Sequence, residues 1–193
     1  MLSEARANLA HANISKARKQ EIYEACVLSK LMYGLETTWL RKAERGRLNA
    51  FHVKCLRHIH GIPPSYTSRV SNASVLEMAR SQHLSVTLTK RQLLLFGKLA
   101  RQPHDSPPRK LVFKPESVEA QVWTGTRQRG RPRQQWGPSL RKLAVTAAGG
   151  EQQLHDALLP TTALTTAAAA TRWREIVTSF CATLDIDANI DEM

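Results

Sequence analysis

The chain has 193 residues, of which 42% are hydrophobic, and this length and composition suit one globular domain or two small ones. No apolar run approaches the roughly 18 residues of a membrane-spanning helix, and the first twenty residues lack the apolar centre of a secretory signal. We therefore expect an intracellular protein of the nucleus or cytoplasm, with no membrane partner.

Positive charge is concentrated in the first three quarters of the chain. The formal net charge is +12; residues up to Lys142 include 26 basic and 9 acidic side chains, whereas the rest include 2 and 7. A basic body with an acidic tail is typical of a protein that meets a polyanion. Nucleic acid is the first partner to consider, and an acidic membrane surface is the weaker alternative.

Two amphipathic helices are predicted in the first third of the chain. The first spans 15–33, ends at Gly34, and has an apolar stripe of Ile22, Ala25, Cys26, Leu28, Ser29 and Met32. The second spans about 43–60, ends at Gly61, and has an apolar face of Leu48, Phe51, Cys55 and Ile59. Its other face carries Arg47 and Lys54, with Arg57 beside them.

Two more helices are predicted before residue 102. Ser74 and Glu77 fit a capping box that opens a short helix. A longer helix follows, in which Leu84, Leu88, Leu95 and Leu99 share one face and Arg91, Lys98 and Arg101 share another.

Prolines and arginines interrupt the helical pattern between 103 and 137, which predicts an extended basic linker. Pro138 suits the first turn of a helix that reaches Ala148 and stops at Gly149. A short helix over 151–159 and a last helix that docks through Trp173 and Phe180 complete the chain before its acidic tail. Because no run alternates β-branched and polar residues, we predict an all-α fold: a small helical bundle, the linker and C-terminal helices.

The residue patterns of catalytic and metal sites are missing. Cys26, Cys55 and Cys181 are too far apart for a disulfide framework and are predicted to be reduced core thiols. His58 and His60 follow Cys55 but have no second Cys/His pair at zinc-finger spacing. The chain has no nucleophile elbow, no phosphate-binding glycine loop and no adjacent Asp pair for two metal ions. We predict no catalysis by this chain, no cofactor and no metal.

The linker contains four alternating arginines, Arg127, Arg129, Arg131 and Arg133. In an extended chain they would point to one side and could follow a phosphate backbone, while Gly130 permits close approach and Pro132 keeps the chain extended. The central RGRP also matches the core of an AT-hook, which lies in the minor groove of A·T-rich DNA. A solvated loop, a general nucleic-acid contact and an AT-hook are all compatible with the run.

Five segments in order resemble the C-terminal part of the reverse transcriptase of non-LTR (LINE-type) retrotransposons. They are LMYGLETTWL (31–40), RLNAFHVKCLRHIHGIPPSYTSRVSNASVLEMA (47–79), RQLLLFGKLAR (91–101), RGRPRQQW (129–136) and RWREIV (172–177). No single segment is specific, whereas their shared order over roughly 15–180 is a strong match. In that family the region after the polymerase palm forms a helical thumb and tail that grip the RNA template and DNA primer.

The resemblance implies roles for individual residues. Tyr33, Gly34, Glu36 and Trp39 would be thumb packing residues, and Phe51 and Cys55 would belong to the family's apolar helix. Gly130, Pro132 and Trp136, with Arg129 and Arg131, match its basic signature, and Trp173 lies in the last matching segment. The implied domains are a thumb-like domain (1–102), the basic linker (103–137) and a C-terminal helical segment with the acidic tail (138–193).

The family's fingers and palm, with the Ala-Asp-Asp motif that binds catalytic magnesium, have no counterpart in this sequence. The resemblance therefore implies a non-catalytic fragment or decayed copy, whose partners would be RNA or DNA and, in the parent, the palm and fingers. The residues expected to contact nucleic acid are Arg127, Arg129, Arg131, Arg133, Arg47, Lys54, Arg57, Arg91, Lys98 and Arg101. The alternatives are a standalone AT-hook-like DNA-binding module, an interaction domain for an acidic protein, and a product without function.

Overall fold

The computed structural model describes residues 14–115, 117–122, 135–159 and 166–184. Helices dominate these ranges, and the only β pairing in them is an isolated antiparallel bridge between Phe113 and Ala120. The predicted all-α class is confirmed. The chain forms two compact units: unit 1 contains residues 14–35 and 40–88, and unit 2 contains 36–39 and the residues from 89 onward. The boundary between these compact units falls at residues 88 and 89, inside a helix, whereas the predicted thumb-like domain ends at residue 102.

Unit 1 is built from short helices around one long helix. Its elements are α1 (Lys16–Ile22), π1 (Tyr23–Leu28), α2 (Ser29–Leu31), α3 (Lys42–His60), α4 (Ser65–Ser68), α5 (Asn72–Met78) and the first residues of α6 (Leu84–Ala100). A 3₁₀ turn, Leu35–Thr37, lies at the boundary between the two units.

The first predicted helix exists, but its predicted apolar stripe is partly wrong. A π-helix occupies Tyr23–Leu28, and its wider turn shifts the buried face to Tyr23, Val27 and Met32. Cys26 is exposed as a result, so it is not the core thiol that the sequence analysis predicted. Cys55 and Cys181 are buried as predicted.

The long helix α3 organises the core of unit 1. Its predicted range is confirmed, because the helix begins at Lys42 and ends where Gly61 adopts a left-handed conformation with φ of 71°. Cys55, Leu56 and Ile59 pack with Val75 and Leu76 of α5 in one apolar cluster. A second cluster joins Leu48 to Met32, Leu84 and Leu88.

The predicted cap of α5 is displaced by one turn. Ser71, and not Ser74, is the N-cap residue, and its hydroxyl oxygen accepts a hydrogen bond from the Ser74 backbone nitrogen at 3.0 Å. Ser74 lies inside the helix because Ser71 already satisfies an N–H group that lacks an intrahelical partner.

Unit 2 contains the rest of α6, then α7 (Pro107–Val112), α8 (Trp136–Ala148), α9 (Glu151–Leu158) and α10 (Thr166–Thr183). The helices α8, α9 and α10 pack against one another. The predicted end of α8 is confirmed, since Gly149 has a φ of 87°. The last helix also forms as predicted, but it buries Trp173, Val177 and Cys181, whereas Phe180 is only half-buried.

The described part of the predicted linker is not simply extended. Pro107 and Pro108 open α7, where proline is tolerated because the first turn needs no N–H donor. The buried Arg109 of α7 donates hydrogen bonds to the carbonyl oxygens of Ala100 and Ser117. This buried side chain fixes a local fold that composition alone did not predict.

Trp173 joins α10 to α6 in unit 2. The Trp173 indole is fully buried, its Nε1 donates a hydrogen bond to the Leu93 carbonyl oxygen at 2.8 Å, and its ring lies against Gly97. A side chain at residue 97 would overlap the ring, so glycine is required for this approach. None of the helices in the described ranges is both long and apolar enough to cross a bilayer.

Candidate nucleic-acid interface

One face of α3 carries a cationic row. Arg47, Ala50, Lys54 and His58 are all exposed, and their spacing of three or four residues aligns them on one side of the helix. Arg47 and Lys54 are separated by about 10 Å along the helix axis, given a rise of about 1.5 Å per residue. The opposite side, with Leu48, Cys55 and Ile59, is buried, so the core fixes the orientation of the row.

This row belongs to a stretch of chain without carboxylates. Residues 45–76 contain five basic side chains and no Asp or Glu. The nearest acid in sequence, Glu44, accepts a hydrogen bond from the Arg41 backbone nitrogen at 2.8 Å and so caps the start of α3. Within the described ranges neither Arg47 nor Lys54 forms an ion pair. Their charges are therefore available to an external anion.

Arg57 is not part of the exposed row. Only 8% of the residue is exposed, and its guanidinium donates to the carbonyl oxygens of Pro63 (3.0 Å) and Val70 (2.5 Å) and to the Asn72 side-chain oxygen (3.1 Å). The prediction that Arg57 contacts nucleic acid directly is not supported by this geometry. Its position beside Lys54 and His58 is that of an exposed cation, but the loop that follows α3 folds over it.

That loop, residues 61–71, presents an aromatic side chain and a cation. Tyr66 is 86% exposed and lies on the one-turn helix α4. Arg69 ends α4 in a left-handed conformation with φ of 56° and is also exposed. Sequence reasoning did not single out either residue; the run of Gly, Pro and Ser around them indicated only a loop.

Unit 2 carries a second set of cations. Arg91 and Lys98 lie seven residues apart on α6 and are both exposed, as the sequence analysis predicted from their spacing. Arg101 is half-buried just after the helix, and burial, together with the charge of Arg174 on α10, lowers its pKa. No carboxylate in the described ranges pairs with Arg101 or Arg174, so two like charges face each other without a counterion.

The four alternating arginines, with Gly130 and Pro132, lie outside the described residues. Trp136 follows them at the start of α8, and its Nε1 donates a hydrogen bond to the Glu36 carbonyl oxygen at 2.8 Å. This contact holds two segments of unit 2 together. Trp136 is therefore a structural residue of that unit, whereas the contact uses only the backbone of Glu36, whose packing role stays a prediction.

The other residues of the YG-x-E segment differ in their environments. Gly34 has a φ of 73° and terminates the first helical segment as predicted, and Trp39 is half-buried. Tyr33 is 88% exposed, so the expected packing role is not met within unit 1. Met32 takes the buried position instead, because π1 shifts the helical register. Phe51 is half-buried against the apolar cluster of α3 and α5.

Unit 1 also buries a hydrogen-bonded histidine. The His52 Nδ1 lies 3.0 Å from the Tyr23 hydroxyl, and its Nε2 lies 3.0 Å from the Ser81 hydroxyl. Burial, with a smaller contribution from His83, lowers the pKa of His52 to about 4. Burial also raises the pKa of Tyr23. Both groups are neutral at pH 7, and a neutral tyrosine does not stabilise an imidazolium as a triad carboxylate does. We interpret this network as structural.

In the part of the chain that the structure describes, no three His, Cys, Asp or Glu side chains converge to hold a metal ion. The chemistry that the described surface offers is therefore cationic: unpaired guanidinium and ammonium groups on α3 and α6, with an exposed tyrosine beside the first of these helices. Comparisons with protein-family models, with curated proteins and with solved structures gave no match to this chain.

Proposed function

We propose that this chain binds nucleic acid mainly through the phosphate backbone. The observation that supports this function best is the exposed row of α3, where Arg47 and Lys54 lie in a stretch of 32 residues without a carboxylate. A globular surface usually intersperses both signs of charge, and a surface of one sign attracts a polyanion.

Contacts with the phosphate backbone give affinity without recognition of the base sequence. Each phosphate that a lysine or arginine neutralises releases condensed counterions, so the logarithm of the binding constant falls linearly with the logarithm of salt concentration. Side chains that touch phosphates position the protein but carry no direct sequence information. We therefore expect strong salt dependence and little discrimination between base sequences.

The resemblance to LINE-type reverse transcriptases extends the proposal. There the corresponding region holds the RNA template and DNA primer beside the palm, so an RNA–DNA hybrid is the ligand to test first. This part of the proposal rests on the five ordered segments, and the partner roles of palm and fingers rest on them alone.

The test is equilibrium binding of the full chain to labelled RNA–DNA hybrid, A·T-rich duplex and G·C-rich duplex across a salt series. The variant R47Q/K54Q keeps helix propensity and removes two charges; we expect its salt slope on duplex DNA to be shallower by about 1.8. The same substitutions in α6, R91Q/K98Q, test unit 2 in the same way. Changing Arg127, Arg129, Arg131 and Arg133 to alanine should reduce the slope on duplex DNA by about 3.6.

The matched control is R18Q/K114Q. It also removes two exposed cations, but each is already paired with a carboxylate at 2.7 Å, Arg18 with Glu21 and Lys114 with Glu119. Its salt slope should equal that of the wild type. If the control and R47Q/K54Q change the slope equally, only total charge matters and the row on α3 is not a binding surface. A strong preference for A·T-rich duplex that is lost with the four arginines would instead favour the AT-hook alternative.

A further inference from the structure

The loop between α3 and α5 presents one large aromatic side chain to solvent. Tyr66 is 86% exposed, although tyrosine carries enough apolar surface to favour at least partial burial. Neither the salt-dependent binding proposed above nor the packing of unit 1 requires an aromatic residue here.

The loop that carries Tyr66 is held from beneath by Arg57. The guanidinium binds carbonyl oxygens on both sides of Tyr66, at Pro63 and at Val70, and also binds Asn72 at the start of α5. Ser68 adds a hydrogen bond to the Pro63 carbonyl oxygen at 3.1 Å. Hydrogen bonds to a charged donor are roughly twice as strong as neutral ones, so the backbone around Tyr66 is restrained before any ligand binds.

The chain segment that contains Tyr66 carries basic side chains and no acidic ones. Arg69, three residues later, is exposed, and Lys54 precedes Arg57 by about one helical turn, or roughly 5 Å along the axis. The whole loop belongs to the carboxylate-free stretch 45–76. An aromatic ring among cations, without acidic groups, is complementary to a nucleotide, because the base stacks on the ring while the phosphate meets the charges.

We propose that Tyr66 is a stacking platform for an unpaired base, so that unit 1 prefers single-stranded nucleic acid to duplex. This inference rests on the proposed function and specifies which form of nucleic acid the surface takes. Bases in a duplex are stacked on their neighbours and do not offer a face to a ring that projects from a loop. A single strand exposes its bases, and stacking tolerates any base because each has a π face.

The chain offers a matched control in Tyr33. It is 88% exposed, also lies in unit 1, and falls between Glu24 and Glu36 outside the carboxylate-free stretch. Replacing either tyrosine by alanine removes the same exposed side chain and leaves the core untouched. The variant Y66F keeps the ring and removes only the hydroxyl.

The experiment measures the affinity of the full chain and of Y66A, Y66F and Y33A for single-stranded RNA, single-stranded DNA and duplex DNA of one length. We expect Y66A to lose about 5- to 150-fold in affinity for the single strands, with an unchanged salt slope and unchanged duplex affinity. Y66F and Y33A should bind as the wild type does. An oligonucleotide with 5-iodouracil should crosslink on irradiation to Tyr66 in the wild type, and the two single strands show whether the 2′-hydroxyl matters.

The failures of the two proposals are distinguishable. Suppose the wild type binds with the expected salt slope, but Y66A lowers the affinity for single strands and for duplex equally, or lowers neither. The stacking role is then wrong and backbone binding stands. A loss in Y33A equal to that in Y66A also overturns the stacking role. If the wild type binds no oligonucleotide at low salt, the proposed function fails and this inference fails with it.

Discussion

Replacing Gly97 by alanine tests the packing of unit 2 where Trp173 of α10 lies against α6. A Cβ at residue 97 would lie 3.0 Å from Cγ of Trp173 and closer still to Cδ1 and Nε1. The ring cannot simply rotate away, because it is fully buried and its Nε1 donates a hydrogen bond to the Leu93 carbonyl oxygen. The substitution must therefore separate α6 from α10 or displace the indole.

The magnitude follows from three contributions. Overpacking a core costs about 1–3 kcal/mol, and loss of the indole hydrogen bond costs about 1 kcal/mol. Alanine returns about 1 kcal/mol because it favours a helix more than glycine does. We expect G97A to lower the free energy of unfolding of unit 2 by about 1–3 kcal/mol.

Gly46 provides the control, since it also lies inside a helix but a Cβ there would meet no atom within 4 Å. G46A should stabilise the protein by about 0.5–1 kcal/mol. Urea unfolding followed by tryptophan fluorescence reports unit 2, because residues 14–35 and 40–88 contain no tryptophan. Circular dichroism at 222 nm follows both units.

A G97A protein as stable as the wild type would refute the close contact between α6 and α10. A double-mutant cycle with W173L supports the assignment independently. Once the indole is removed, G97A should cost nothing or stabilise; an unchanged loss in that background would show that the ring is not the cause.

Three further predictions concern unit 1 and the thiols. The folded pKa of His52, about 4, lies below its unfolded value of 6.5, so the unfolded chain binds the proton first as pH falls. The stabilisation from neutral His52 is fully present above pH 6.5, and the free energy of unfolding should fall by up to about 3 kcal/mol towards pH 4. Urea unfolding at several pH values measures this change. H52Q should flatten the pH dependence, and an equal pH dependence in H52Q and the wild type would contradict the assignment. R57A should lower the free energy of unfolding of unit 1 by about 2–4 kcal/mol and release the amide protons of residues 65–72 to hydrogen exchange. R57K should recover only part of this stability, because one ammonium nitrogen does not span the partners of two guanidinium nitrogens. A thiol reagent should modify Cys26 rapidly in the native protein and reach the buried Cys55 and Cys181 only after unfolding. Burial also raises the pKa of Cys181, which slows its reaction further. Fast reaction of two or three thiols in the native protein would refute the burial pattern.

Helices with local boundary signals were predicted well. The ends of α3 and α8 are marked by Gly61 and Gly149, and the left-handed conformation that each adopts is one that glycine reaches without steric penalty. The apolar spacing of Leu48, Cys55 and Ile59 then fixed which side of α3 is buried, and so which side presents Arg47 and Lys54.

Features that depend on tertiary contacts were not predictable. The π-helix at Tyr23–Leu28 interrupts the α-helical period of 3.6 residues from which the first apolar stripe was predicted. The local residue pattern did not indicate a π-helix. Arg57 and Arg109 have the charge of surface residues but become buried because the chain on either side folds back and brings carbonyl oxygens 6 to 13 residues away to them. The exposure of Tyr66 likewise follows from the fold of its loop and not from its neighbours in sequence.

The anchor beneath the Tyr66 loop has an uncommon composition for a buried cation. All the hydrogen-bond acceptors of Arg57 in the described chain are neutral, being carbonyl, hydroxyl and amide oxygens. The acceptors include no carboxylate and no imidazole, so protonation of an acceptor does not weaken this anchor across the pH range in which His52 weakens the core. Added salt also screens buried contacts far less than exposed ones. Acid and ionic strength should thus act on separate parts of unit 1. Acid loosens the packing around α3, whereas salt weakens the binding of nucleic acid at the surface and leaves the loop in place.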